Sequence, residues 1–235
     1  MMTGFAFITG SSKGIGRDLT NLLLSKDFVV HGFSRSNALK HYNFHHHKTD
    51  LANINKINSI LFPKIDNIKE IYLINNAGEI GDITKIGNKS SNNIIDEVNI
   101  NITAPILLSN LFIKSYKSTQ SRLTIINISS GAALRPIHSW GTYCISKSGI
   151  DMLTKIINEE HPDIRALSIY PGVVNTEMQE KIRNTSDEEF PLKQKFIDYF
   201  NNNELSNSKT VAEKIFYIMS NLSQFEQNHI SLRDF

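Results

Sequence analysis

Short apolar runs alternate with segments of helical periodicity along the whole chain, and few architectures accommodate that order. "FAFIT" (5–9) precedes a helical pattern at 15–26, and Phe28–Ser34 is apolar again. A weaker strand follows at 42–49, then a polar helix at 54–62 and the strand Glu70–Asn75. A long helix is expected at 92–113, a strand at 122–129, a helix from the "TYCISKSG" stretch to Glu160, and a strand at 164–170 stopped by Pro171-Gly172. Strands this uniformly apolar need cover on both faces, which implies a parallel sheet. Right-handed crossovers then give a doubly wound α/β sheet of about seven strands with helices on both faces. No repeat or Gly/Ser/Pro linker divides residues 1–235, so a single domain is expected. The polar stretch 175–208 follows the last long strand, on the side of the sheet where ligands bind. It reads as a substrate lid or as an ordinary surface excursion.

Composition narrows the function classes. Lys and Arg total 25 against 23 Asp and Glu, so bulk charge points to neither nucleic acid nor an anionic membrane. The single cysteine, Cys144, rules out an intrachain disulfide and a CxxC metal site, and suits a reducing, cytoplasmic setting. No apolar run has the length of a membrane helix. The apolar start has no preceding Lys or Arg and reads as the first strand, not a signal peptide.

The loop "TGSSKGIG" joins the first strand to the first helix, with Gly10, Gly14 and Gly16. Glycines there let the backbone approach a ligand, and the helix offers free N–H groups to a phosphate. At the end of the second strand, where NAD binders place an acidic residue, stand Ser34 and Arg35. Arg35, with Lys13 and Arg17, suits a 2′-phosphate, so NADPH/NADP+ is favoured over NADH; otherwise Arg35 is a solvated loop residue.

Tyr143 and Lys147 stand four apart, on one face of a helix. They read either as a silent surface pair or as a phenol tuned by a cation. Residues His45, His46 and His47 alternate faces in a strand and cannot all reach one ion; no metal is expected.

These motifs together resemble the short-chain dehydrogenase/reductase family: TGxxxGxG, "NNAG" at Asn75–Gly78, Ser130 before the Tyr143/Lys147 pair, and the Pro171-Gly172 turn. The resemblance covers essentially the whole chain and implies a Rossmann-type fold and a nicotinamide cofactor. It implies that Tyr143 is the general acid, that Lys147 binds the nicotinamide ribose and lowers the tyrosine pKa, and that Ser130 holds the carbonyl oxygen. Asn101 in "NITA" fits the family's relay asparagine, with Asn99 as runner-up. It also implies cofactor contacts from Gly10, Ser12, Lys13, Gly14, Ile15, Gly16, Ser34, Arg35, Asp50, Leu51, Asn76, Ala77, Gly78, Pro171, Gly172, Val174 and Thr176.

"SWGTYCISKSGIDML" and "NITAPILLSNLF" further resemble the benzil and sepiapterin reductases of that family. Trp140 and Met178 then border a substrate carbonyl compound beside Ser130; Trp140 reads equally as a core or interface aromatic. Ser231 stands where sepiapterin reductases carry a pterin-gripping aspartate, which weakens that alternative. A cofactor-sensing protein without turnover is the reading from another class. The family resemblance also implies a homodimer or tetramer.

Overall fold

The computed structural model describes residues 4–65 and 67–234. Seven strands form one sheet: β1 (Gly4–Thr9), β2 (Phe28–Ser34), β3 (Phe44–Lys48), β4 (Glu70–Asn75), β5 (Arg122–Ile128), β6 (Arg165–Tyr170) and β7 (His229–Ser231). Their order is β3-β2-β1-β4-β5-β6-β7, with every pairing parallel. The chain winds outward from β1 to β3, then returns to β4 on the other side of β1. The loops after β1 and β4 therefore part, and a crevice opens at their carboxyl ends.

Helices α1 (Gly14–Leu24), α2 (Ile54–Asn58), α3 (Ser91–Val98), α4 (Ala104–Tyr116), α5 (Gly141–Glu160), α6 (Glu177–Arg183), α7 (Lys193–Asn201) and α8 (Ser208–Ser220) complete the chain. Alternation along β1 divides the core. Ala6 and Ile8 join Leu19 and Leu23 of α1 and Ile215 of α8, whereas Phe7 joins Leu108 and Phe112 of α4 and Ile157 of α5. The Phe7 ring lies 4.5 Å from Phe62 and 6.2 Å from Phe112, centre to centre. Among the described residues, no helix is long and apolar enough to cross a membrane.

Two helices differ from the sequence expectation. The helix expected at 54–62 stops at Asn58, and Ile60 and Phe62 pack on the core without helical structure. Pro63 disfavours helical backbone at Phe62, the last residue of the expected helix. The long helix expected at 92–113 is three pieces: α3, a wide π-type turn at Asn99–Thr103, and α4 running on to Tyr116. Pro105 explains the break, because its ring and missing N–H cannot serve the carbonyl four residues back, at Asn101.

The histidine run alternates as strand geometry requires. His31 Nδ1 lies 2.8 Å from His47 Nε2 on one face. His46 turns to the other and lies 3.1 Å from the Ser34 hydroxyl. Burial, then the neighbouring His47 and His45, pushes His31 down to about 3. The segment between Val174 and Ser206 leaves the sheet as α6 and α7 and returns to the point it left, where those two residues form a parallel bridge.

Phe112 is fully buried between α4 and the sheet. Phe112→Ala is expected to cost about 3–5 kcal/mol of folding stability, read from the denaturant midpoint.

Candidate active site

The crevice is built first by a clamp between the ends of β1 and β4. The Thr9 hydroxyl accepts the N–H groups of Asn76 and Ala77, both at 3.0 Å. The Asn76 amide returns a bond to the Thr9 carbonyl at 2.9 Å. Gly14 sits at φ +54°, a region that side chains disfavour. A Cβ on Gly16 would lie 2.3 Å from the Gly10 carbonyl oxygen and 2.4 Å from Asn76 Nδ2, so only glycine lets α1 start this close to the loop. The first turn of α1 has no side-chain cap, and its N–H groups are left for a ligand. This cradle is suited to a dinucleotide pyrophosphate.

Around the cradle lie most of the other residues singled out from sequence. Ser34 closes β2, its hydroxyl donating to the Ser36 carbonyl at 2.7 Å, and Arg35 follows, exposed. Asp50 is exposed and turns back to accept the Ala52 N–H, and Leu51 is buried beside it. Thr176 reaches the glycine loop from the far side, its methyl 3.4 Å from where a Cβ on Gly14 would sit. Gly172 has φ +80° at the turn after Pro171, and Val174 is buried. Lys13 pairs with Glu177 of α6. Arg17 lies 3.3 Å from Asp18.

The second set converges beside Gly78. A Cβ on that glycine would lie 3.1 Å from Asn101 Oδ1 and 3.4 Å from Lys147 Nζ. Asn101 is held by both its atoms: Oδ1 accepts the Glu79 N–H at 2.9 Å, and Nδ2 donates to the Glu79 carbonyl at 2.8 Å. The wide turn positions it there. Asn99, the runner-up, points elsewhere and donates to the Ala52 carbonyl at 3.0 Å. Lys147 is buried and donates to the Ile128 carbonyl at 2.7 Å. Its Nζ lies 5.6 Å from the centre of the Tyr143 ring. Ser130 accepts the Ala132 N–H and hydrogen-bonds Tyr143.

Burial dominates the electrostatics of this pair. Burial pushes the Tyr143 phenol up to about 12, opposed by the Ser130 hydrogen bond, with Cys144 adding slightly to the rise. Burial pulls Lys147 down to about 8, opposed by Asp151. At the phenol, desolvation outweighs the help from Ser130.

Trp140 stands edge-on to Tyr143 at 5.8 Å and stacks on Phe190 of the 175–208 segment at 5.3 Å. Met178, Phe196 and Cys144 pack against the same cluster. Opposite it, the loop after β4 is pinned by an ion pair hidden from solvent. Lys89 Nζ lies 2.9 and 2.6 Å from the two Glu97 oxygens, and Glu97 also accepts the Asp82 N–H at 2.7 Å. Thr9, Glu177 and the Lys89–Glu97 pair were not singled out from sequence. The threonine opening the glycine motif was the one available signal; the other two arise from long-range folding.

The family model for the short chain dehydrogenases matches residues 4–187. A benzil reductase ((S)-benzoin forming) of Bacillus subtilis is 38% identical over 193 residues, 78% of this chain and 79% of that protein. A sepiapterin reductase of Bos taurus is 30% identical over 176 residues, 73% of this chain and 65% of that one. Among solved structures, a 4-hydroxyisoleucine dehydrogenase complexed with NADH superposes with TM-score 0.81 at 24% identity, covering 97% of this chain and 96% of that one. The chain belongs to the short-chain dehydrogenase/reductase family of oxidoreductases.

Two variants test how the crevice is held. Gly16→Ala is expected to weaken dinucleotide binding at least about tenfold, measured by titration of nucleotide fluorescence, because the added carbon collides with backbone. Lys89→Met leaves a dry carboxylate unpaired and is expected to cost about 3–5 kcal/mol, with part recovered in Lys89→Met/Glu97→Leu, both read by denaturant melts.

Proposed function

We propose that this chain is an NADPH-dependent carbonyl reductase acting on a ketone or vicinal diketone of the benzil type. The observation that carries the reading is the convergence of Asn101 and Lys147 beside Gly78, next to a buried Tyr143 bonded to Ser130. The glycine cradle fits a nicotinamide dinucleotide, which when bound supplies the hydride.

In this reading Ser130 holds the substrate carbonyl oxygen by hydrogen bonding. Tyr143 donates its phenolic proton to that oxygen. A phenol is protonated at neutral pH, the state that reduction requires, and burial moves its titration further from that range. Lys147 faces the nicotinamide ribose and helps restore the proton, and Asn101 completes the relay. Trp140 and Met178 wall the substrate, and the 175–208 segment covers it. The same groups serve alcohol oxidation, and the cellular NADPH/NADP+ ratio sets the direction.

The absence of a carboxylate at Ser34-Arg35 supports NADPH. The Lys13–Glu177 pair is exposed on both sides and contributes about 0–1 kcal/mol, so it yields readily to a 2′-phosphate. Sepiapterin is the alternative substrate. Ser231 argues against it, because its neutral hydroxyl accepts the Arg233 N–H at 3.3 Å where a carboxylate would grip an amino-pterin. A homodimer through α4 and α5 is supported by the exposed Ile106, Ile145, Met152 and Ile156, at 44, 64, 54 and 42%.

The test is NADPH and NADH consumption with benzil and, in parallel, sepiapterin. NADPH loss with benzil is expected. Tyr143→Phe is expected to lower kcat/KM by about 10²–10⁴-fold while leaving NADPH binding in place. Undiminished turnover in that variant defeats the role of Tyr143, and a preference for NADH defeats that of Arg35. Tight NADPH binding with no carbonyl reduced across a broad panel moves the reading to a sensor.

A further inference from the structure

Lys147 is buried in the site, with a neutral carbonyl as its hydrogen-bond acceptor. A buried ammonium needs a counter-charge. One helical turn further along α5, on the same face, stands Asp151, itself 8% exposed. One of its oxygens is locked by the Tyr170 hydroxyl of β6 at 2.6 Å. The other, Oδ1, is buried without a hydrogen-bond partner. Asp151 also lines a cavity of about 350 Å³, with Ser148, Lys155, Tyr170 and His229 on its wall.

We propose that Asp151 is the fixed counter-charge of Lys147, a positioning residue that keeps its ammonium in place beside Tyr143. The proposal rests on the reductase reading and adds a residue to it. The surroundings are consistent with that assignment. Lys147 meets Tyr143 on α5, with Asp151 one turn further along, the Ile128 carbonyl from β5, and Asn101 and Gly78 from the turns beside it. The nearby Glu79 carboxyl answers to Lys181, Glu97, Arg35 and Asp96. Asp151 accepts from Tyr170 of β6, and His229 of β7 and Lys155 of its own helix line the same cavity. Among the described residues, Asp151 is the carboxylate that acts on Lys147, raising a pKa that burial has lowered to about 8.

The test is the alkaline limb of kcat/KM for carbonyl reduction. Burial lowers the lysine and raises the phenol, so that limb is expected to report the lysine. Asp151→Asn keeps the shape and an acceptor for Tyr170 but removes the charge, and the limb is expected to move down by about one pH unit. Asp151→Glu is expected to restore it. Tyr170→Phe keeps the carboxylate and leaves the limb where the wild type has it. A limb unmoved in Asp151→Asn, or moved equally in Tyr170→Phe, overturns the proposal. Should Asp151→Asn not fold, Asp151→Ser against Asp151→Glu makes the same comparison.

A second readout needs neither cofactor nor substrate. The folded lysine sits near 8 against an ordinary 10.5, so the folded state binds fewer protons between those values. Stability is therefore gained as pH rises through that window, and lost as it falls back through the folded value. In Asp151→Asn the folded value drops further, and the gain in melting temperature begins at lower pH. Superimposable pH–stability curves overturn the counter-charge. A shifted curve in a protein that reduces no carbonyl upholds it and defeats the reductase reading instead.

Discussion

The bond between the Thr9 hydroxyl and the start of the Asn76–Gly78 loop is the contact on which the crevice depends. It spans the switch in strand order, where β1 and β4 are neighbours but the loops that leave them run apart. With that bond and the Asn76 return bond in place, the glycine loop cannot close over the sheet end, and α1 starts against it. Everything polar in the site is referred to this junction. Gly78, two residues beyond Asn76, is where Asn101 and Lys147 meet.

A second constraint comes from burial on α5. The helix places a phenol and an ammonium side by side, and both are taken out of water. Desolvation acts on them in opposite directions, raising the phenol and lowering the amine, so each is driven toward its neutral form. The helix surroundings answer with Ser130 on one side and Asp151 on the other. Packing therefore moves both groups further toward their neutral forms, opposed by the Ser130 hydrogen bond at the phenol and by the Asp151 charge at the amine.

The covering elements follow the same logic. The 175–208 segment is tied at its base by the Val174–Ser206 bridge and at its inner edge by Phe190 against Trp140. The facing loop is tied by the dry Lys89–Glu97 pair. Between two anchored walls, the surface near Tyr143 is largely aromatic and apolar, with Ile80, Ile83 and Ile182 in the same cluster as Trp140.

Much of this was legible from local pattern. The periods of apolar residues identified the six longer strands and the helices between them, because burial of alternate or every third to fourth residue is written directly in the chain, but not α6, α7, α8 or the short β7. The glycine loop and the Tyr143–Lys147 spacing were legible for the same reason: a tight turn and a shared helix face are short-range geometry. Asn101 was separable from Asn99 by motif alone, but its side-chain position is produced by the wide turn that Pro105 forces. What only the tertiary structure decided are contacts between residues far apart in the chain: Lys13 with Glu177, Asp151 with Tyr170, Thr9 with Asn76. It also decided the protonation preferences of Tyr143 and Lys147. Those depend on how much water the whole fold excludes, a quantity set by packing from every layer and carried by no single stretch of sequence.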